Sequence, residues 1–168
     1  MNNKRYLIAT IIVISLAVLI NAFIITQSCL NSFYSSRSSG TVVNLFKAII
    51  NSFKKDTIND TNIETFTLVI RKLIGHFGLF VISGIASSSA LHMSSRYLKN
   101  YKHYMGIIFS LSFGLFMSGL TELIQSFIPD RSGQIVDVLI DFGGYILGLG
   151  LVILIVFIII KKKNKEIE

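Results

Sequence analysis

Charged residues are scarce in this chain. They make up 15% of its 168 residues, whereas hydrophobic residues make up 52% and the mean hydropathy is +0.66. This balance is too apolar for an ordinary soluble domain and indicates an integral membrane protein. The single cysteine, Cys29, excludes an internal disulfide and a cysteine metal cluster. One proline, no tryptophan and many Leu, Ile, Val and Phe residues favour a helical bundle over a barrel of alternating strands.

Long hydrophobic runs are what the sequence does contain. A helix needs about 20 mainly apolar residues to cross roughly 30 Å of hydrocarbon. Three runs meet this length outright: Tyr6–Thr26, Leu73–Leu91 and Phe142–Ile160. A fourth, at 104–128, forms a full span only if Glu122 lies inside it. The sequence therefore predicts an all-α, polytopic membrane bundle of four transmembrane helices.

The segment between the first two spans is more polar and contains one amphipathic stretch. Apolar Val42, Phe46 and Ile49 recur at helical spacing between positions 41 and 55, which predicts an external helix lying in the membrane interface. It is interpreted either as a lid over the bundle or as a simple surface anchor. Thr61, with Glu64 three residues later, matches a capping box and predicts the start of the next helix.

These patterns define the predicted organisation of the chain. In order, it comprises an N-terminal segment at 1–5, helix 1 at 6–26, an external loop at 27–70 containing the amphipathic helix at 41–55, a core at 71–151 with helix 2 at about 71–91 and helix 3 at about 104–128, helix 4 at 136–160, and a basic tail at 161–168.

Three basic clusters fall on one side of this four-span topology. They are Lys4 and Arg5; Arg96, Lys99, Lys102 and His103; and Lys161, Lys162, Lys163 and Lys165. The positive-inside rule makes that side cytoplasmic, with both termini inside, although Arg71 and Lys72 then lie outside and count against this orientation. No nucleic-acid-binding motif accompanies the clusters, so we expect lipid headgroups and not nucleic acid as their partners.

Polar residues near the third and fourth spans are predicted to share one depth. Glu122 lies six residues inside Ile128, about 9 Å deep, and Asp141 lies five residues inside Val136, about 7.5 Å deep. Gln125 and Asp137 lie one turn above them, and Lys72 and His76 enter from the same external side on one helix face. The expected result is a polar pocket in the outer leaflet.

This layer has several interpretations. In the structural one, Glu122 and Asp141 pair with nearby cations and hold the hairpin shut. In the active ones, the layer binds a polar or zwitterionic group, carries out acid–base catalysis through Glu122 or Asp141, or forms a proton path. A metal site using His76 with both carboxylates has no supporting HExxH-like spacing, so we predict no metal and no cofactor.

These residues resemble the VanZ-like family of small bacterial membrane proteins, which is named for a protein associated with teicoplanin resistance. The resemblance spans about 71–151. Its motifs are Arg71-Lys72-x-x-x-His76-Phe77, Glu122-x-x-Gln125-x-Phe127-x-Pro129-x-Arg131-Ser132-Gly133, Asp137-Val138-x-x-Asp141, and the GxxxG pair Gly144 and Gly148. The family's polar residues correspond to Lys72, His76, Glu122, Gln125, Arg131, Asp137 and Asp141.

The chain departs from the family pattern in two places. Leu79-Phe80 stands where members often carry Glu-Tyr, and Thr121 and Ile124 replace an acidic residue and a histidine. The resemblance implies a role in the bacterial cell envelope, at the cytoplasmic membrane, that lowers the access of a glycopeptide such as teicoplanin to its wall target. It supplies no reaction, so whether the protein is an enzyme stays open.

We therefore expect an outer-leaflet pocket that recognises or modifies an envelope component. The partners expected are membrane lipids and a lipid-linked cell-wall precursor or glycopeptide. Arg131 and Lys72 are predicted to contact an anionic group, and Gln125 and Asp137 complete the predicted ligand-binding set. Glu122, Asp141 and His76 form the hypothetical catalytic set. Alternatives are a proton- or ion-coupled transporter working as a homo-oligomer, an intramembrane hydrolase or transferase, and a purely structural protein.

Overall fold

The computed structural model describes residues 3–97 and 102–165, which form helices and turns and no strand. The helices are α1 (Asn3–Ser28), α2 (Ser32–Phe53), α3 (Ile63–Ile70), a π-helical segment (Arg71–Gly78), α4 (Leu79–Ser94), a 3₁₀ turn (Ser95–Tyr97), α5 (His103–Ser126) and α6 (Ile135–Lys165). Lys99 and positions 166–168 of the predicted tail lie outside the described residues.

Four helices are long and apolar enough to cross a membrane. They are Lys4–Ser28 in α1, the continuous rod Ile63–Ser94 formed by α3, the π-helical segment and α4, Tyr104–Ser126 in α5, and Ile135–Lys162 in α6. The predicted all-α class with four spanning helices is confirmed. The second span begins eight residues before the predicted position 71, because α3 joins the π-helical segment without a break.

The centre of the bundle is α4, which packs against α1, α5 and α6. Apart from Phe80, its buried residues are small serine, alanine and glycine, which let neighbouring helices approach closely. At Gly144 a Cβ atom would overlap the carbonyl oxygen of Phe77, and at Gly148 it would overlap that of Val81. The GxxxG pair of α6 therefore lies directly against the backbone of the second span.

Hydrogen bonds between side chains connect these helices where the packing is closest. Asn21 of α1 accepts a bond from the Ser83 hydroxyl at 2.8 Å and donates to the Ser87 oxygen at 3.0 Å. Such bonds between membrane helices contribute about 0.6 kcal/mol each on average. Their effect is to fix the rotation of α1 against α4, so that the end of α1 meets the polar layer.

The predicted external loop at 27–70 is wrong in its first part. Only a short connection separates α1 from α2, because Asn31 caps α2 by accepting a hydrogen bond from the Tyr34 amide at 3.1 Å. The serine-rich segment is helical, so α2 begins at Ser32 instead of position 41. The Ser39 hydroxyl in this segment donates to the carbonyl of Ser35 at 2.9 Å.

The predicted capping box before α3 is also wrong. The Thr61 hydroxyl donates to the side chain of Asn59 at 2.6 Å, and α3 begins at Ile63 after Asn62, with no side-chain capping bond. The asparagine-rich turn offers Thr61 a nearer acceptor than the helix terminus does.

We predict that Gly144→Ala and Gly148→Ala each lower the free energy of unfolding by about 1–3 kcal/mol, because the added methyl group meets a backbone oxygen that cannot rotate away. Thermal unfolding of the detergent-solubilised protein measures this. Gly150→Ala is the matched control on the same helix, since nothing lies within 4 Å of its Cβ position. Equal melting temperatures for all three variants would contradict the close contact.

Candidate functional site

The π-helical segment brings two basic side chains to the start of α6. Lys72 forms an ion pair with Asp137, and His76 lies beside Asp141, with Nδ1 and Oδ1 at 3.1 Å. Both pairs join residues that are 65 positions apart, so the second span and α6 run parallel in register. A π-helical turn inside a longer helix is frequent at functional sites. The predicted shared face of Lys72 and His76 is confirmed.

His76 lies between two buried carboxylates. Its Nδ1 is 3.1 Å from Asp141 Oδ1 and 3.8 Å from Glu122 Oε1. Asp141 is 0% exposed and Glu122 is 4% exposed. The distance between Nδ1 and Asp141 Oδ1 is that of a hydrogen bond, and which atom donates depends on the tautomer of the imidazole and on the protonation of the carboxyl group. Their shared proximity to His76 places the two carboxylates at the same level of α5 and α6.

Glu122 also holds the turn between α5 and α6. Its Oε1 accepts a hydrogen bond from the Gln125 side chain at 2.8 Å, and its Oε2 accepts one from the Gln134 amide at 3.0 Å. Asp130 adopts a left-handed conformation with φ 61° and reverses the chain. At Gly133 a Cβ atom would overlap the Glu122 carbonyl oxygen, so only glycine fits there.

Arg131 connects this turn to the end of α1. Its guanidinium donates to the carbonyls of Gln27 at 3.2 Å and Leu30 at 3.0 Å, and to Gln125 Oε1 at 2.7 Å. Burial first, and then the charge of Arg71, lower the pKa of Arg131, whereas Glu122 raises it. The group stays charged at neutral pH, because the ordinary pKa of arginine is above 12.

Arg71 and Arg131 differ from Lys72 and His76 in their partners. Within the described residues, neither Arg71 nor Arg131 forms an ion pair with a carboxylate, whereas Lys72 and His76 do. The contact of Arg71 is a long hydrogen bond to the Ser35 hydroxyl at 3.5 Å. Among the described residues, His76 is therefore the cation candidate that pairs directly with Glu122 and Asp141, whereas the guanidinium groups of Arg71 and Arg131 donate to neutral oxygens.

A cavity of about 240 Å³ opens between these groups and α2. Its polar lining includes Arg71, Arg131, His76 and Asp141, and its apolar lining comes from α1, α2 and the second span. The hydroxyls of Ser35 and Ser39 on α2 also line it, so α2 forms one wall. The lid interpretation of the amphipathic helix is consistent with this wall.

The structure assigns different positions to the predicted site residues. His76, Gln125, Arg131 and Asp141 line the cavity, whereas Lys72, Asp137 and Glu122 belong to the hydrogen-bonded wall around it. Arg71, Ser35 and Ser39 also line the cavity and were not predicted as lining residues from the sequence. The carbonyls of Gln27 and Leu30, which accept hydrogen bonds from Arg131, were not predicted either. The four-residue spacing of the two serines was the only sequence signal for this wall, because a backbone carbonyl is present at every residue.

The geometry also allows a metal ion, which the sequence analysis did not expect. His76, Glu122 and Asp141 each offer one ligand atom, and these three atoms lie within 4.8 Å of one another. Imidazole nitrogen and carboxylate oxygen are ordinary ligands of divalent cations. The catalytic and ligand-binding roles assigned from the sequence remain predictions.

Comparison with known proteins gives one match. The sequence model of a family described as VanZ/LLP1 matches residues 6–158, which is most of the chain and extends well beyond the 71–151 core seen from the motifs. Neither the curated proteins nor the solved structures searched contain a significant match.

Proposed function

The chain belongs to the VanZ/LLP1 family of membrane proteins, and we propose that its cavity binds the phosphate-bearing headgroup of a lipid-linked cell-wall precursor. Binding takes place in the outer leaflet of the bacterial cytoplasmic membrane. The observation that supports this most is the presence of two arginines without carboxylate partners in one cavity with apolar walls. Arginine is the residue best suited to bind phosphate through paired hydrogen bonds.

The size of the cavity limits the range of ligands that fit. Sites for drug-sized molecules have volumes of about 300–1,000 Å³, whereas this one has about 240 Å³. A phosphate group and the first part of its lipid chain fit such a space, and the rest of the chain would lie in the bilayer beside α2. A glycopeptide antibiotic is far larger, so protection against teicoplanin would act through the wall precursor and not through capture of the drug.

The proposal gives each predicted site residue a role. Arg71 and Arg131 contact the phosphate, and Gln125 holds Arg131 in place. Lys72 is paired with Asp137, so both position the wall and do not contact the ligand directly. Glu122 fixes the turn that carries Arg131, and His76 with Asp141 forms the polar floor of the cavity.

The proposed orientation places the cavity outside and both termini in the cytoplasm. We predict that Cys29, which is exposed near the end of α1, reacts with a membrane-impermeant maleimide in intact cells. A Cys29→Ser chain that carries Lys4→Cys should react only after permeabilisation, because Lys4 is exposed at the other end of α1. Labelling in the opposite order would reverse the orientation and place the cavity inside.

We predict that the purified protein binds a polyprenyl phosphate more than tenfold tighter than the polyprenol of equal chain length, as measured by native mass spectrometry. Arg71→Gln should weaken binding of the phosphate by about 10- to 100-fold, because a hydrogen bond to a charged group contributes about 1.5–3 kcal/mol. Arg131→Gln should do the same.

Arg37→Gln is the control for these variants, since Arg37 is exposed on α2 and does not line the cavity. Within the described residues Arg71 makes one long hydrogen bond, so its replacement removes no strong hydrogen bond from the fold. Equal binding of the phosphate and the alcohol, or unchanged binding by both arginine variants, would contradict the proposal.

We predict that expression in a sensitive Gram-positive host raises the teicoplanin concentration needed to stop growth and changes vancomycin susceptibility less. Arg71→Gln should lose this protection and Arg37→Gln should retain it at matched membrane levels. If the wild type gives no protection while the purified protein still binds polyprenyl phosphate, the resistance role is wrong and the ligand assignment stands.

A further inference from the structure

His76, Glu122 and Asp141 come from three different elements and meet at one point. The π-helical segment supplies the imidazole, α5 supplies Glu122 and α6 supplies Asp141, and one ligand atom from each lies within 4.8 Å of the other two. These distances are typical of side chains around a shared ion. A histidine that makes a single hydrogen bond needs one acceptor nearby, whereas His76 has two carboxylates beside it.

Within residues 3–97 and 102–165, His76 is the only basic side chain that pairs with the two carboxylates at this point. Two carboxylates are buried there, and a buried carboxylate needs a positive partner or several hydrogen bonds. Lys72 is paired with Asp137, and Arg131 donates to neutral oxygens. One imidazole therefore serves both Glu122 and Asp141.

One oxygen of the cluster has no hydrogen-bonding partner. Asp141 is 0% exposed, so its Oδ2 is buried, and this atom receives no hydrogen bond from the described residues. Thr121, which lines the same cavity, donates its hydroxyl to the carbonyl of Ser118 at 3.0 Å. Leaving a buried charged acceptor unpaired is costly, so this oxygen indicates a ligand that the protein alone does not supply.

We propose that His76, Glu122 and Asp141 bind one divalent transition cation, such as Mn²⁺ or Zn²⁺, with an open coordination position towards the cavity. One nitrogen and two carboxylate oxygens suit a cation of this class and leave room for a further ligand. Two negative carboxylates neutralise the dication inside the membrane. Gln125 and the Gln134 amide hold Glu122 from outside the cluster, as supporting hydrogen bonds do for metal ligands.

The proposed cation would take part in ligand binding by the same cavity. Only this role of the cation rests on the proposed function. His76 and Asp141 line the same cavity as Arg71 and Arg131, so a phosphate oxygen at the open position would have the cation on one side and the guanidinium groups on the other. The cation then favours an anionic ligand over a neutral one. Cation binding itself requires no lipid.

The test is titration of Mn²⁺ and Zn²⁺, separately, into the full-length protein in detergent after treatment with EDTA. Calorimetry and elemental analysis after desalting measure the stoichiometry. We expect about one ion per chain, and affinity at least tenfold weaker in Asp141→Asn and Glu122→Gln. Glu64→Gln is the control, because Glu64 is exposed in the first turn of α3 and should leave binding unchanged.

A second measurement tests the cation site if the carboxylate variants fold poorly. In the wild type, Mn²⁺ should raise the melting temperature, and pulsed electron paramagnetic resonance should detect a coupled imidazole nitrogen, which His76→Gln removes. Absence of saturable binding by the wild type, or full binding by both carboxylate variants, would overturn the cation site. Polyprenyl phosphate binding that persists in EDTA alongside such a result would leave the proposed function intact.

Discussion

The arrangement of this protein depends on the pairing of basic with acidic side chains between the second span and α6. Lys72 with Asp137 and His76 with Asp141 join the second span to α6 in parallel register. Charged side chains at membrane depth are costly unless they meet partners, so these pairs restrict how the two helices can slide or rotate. The positions of Glu122 and Arg131 are then set as well, because the turn from α5 to α6 is held by hydrogen bonds to Glu122 and to Gln125.

Close packing makes this register achievable. Gly144 and Gly148 bring α6 against the carbonyls of Phe77 and Val81. Phe77 directly follows His76 in the sequence, and Val81 lies four residues after Phe77. The same contact that lets the helices approach also fixes the height of Asp141 relative to the imidazole. Packing and electrostatics therefore specify one arrangement of the second span and α6.

Much of the polar layer could be predicted from the sequence, because apolar length sets the depth of a residue and helical spacing sets its face. This is why Glu122 and Asp141 could be placed together before their contact with His76 was seen. The beginning of α2 could not be predicted, since its serines resemble a loop in composition and become helical through Asn31 and local hydroxyl bonds. The backbone acceptors of Arg131 could not be predicted either, because every residue has a carbonyl group and the sequence does not show which one accepts a side-chain hydrogen bond.

The separation of 65 residues between each basic residue and its acidic partner has a consequence for biosynthesis. A ribosome completes Lys72 and His76 long before Asp137 and Asp141 exist. During that interval the second span resides at the insertion machinery with these two side chains unpaired, where water and lipid phosphates can solvate them. Final docking of the second span against α6 therefore waits until α6 has been synthesised.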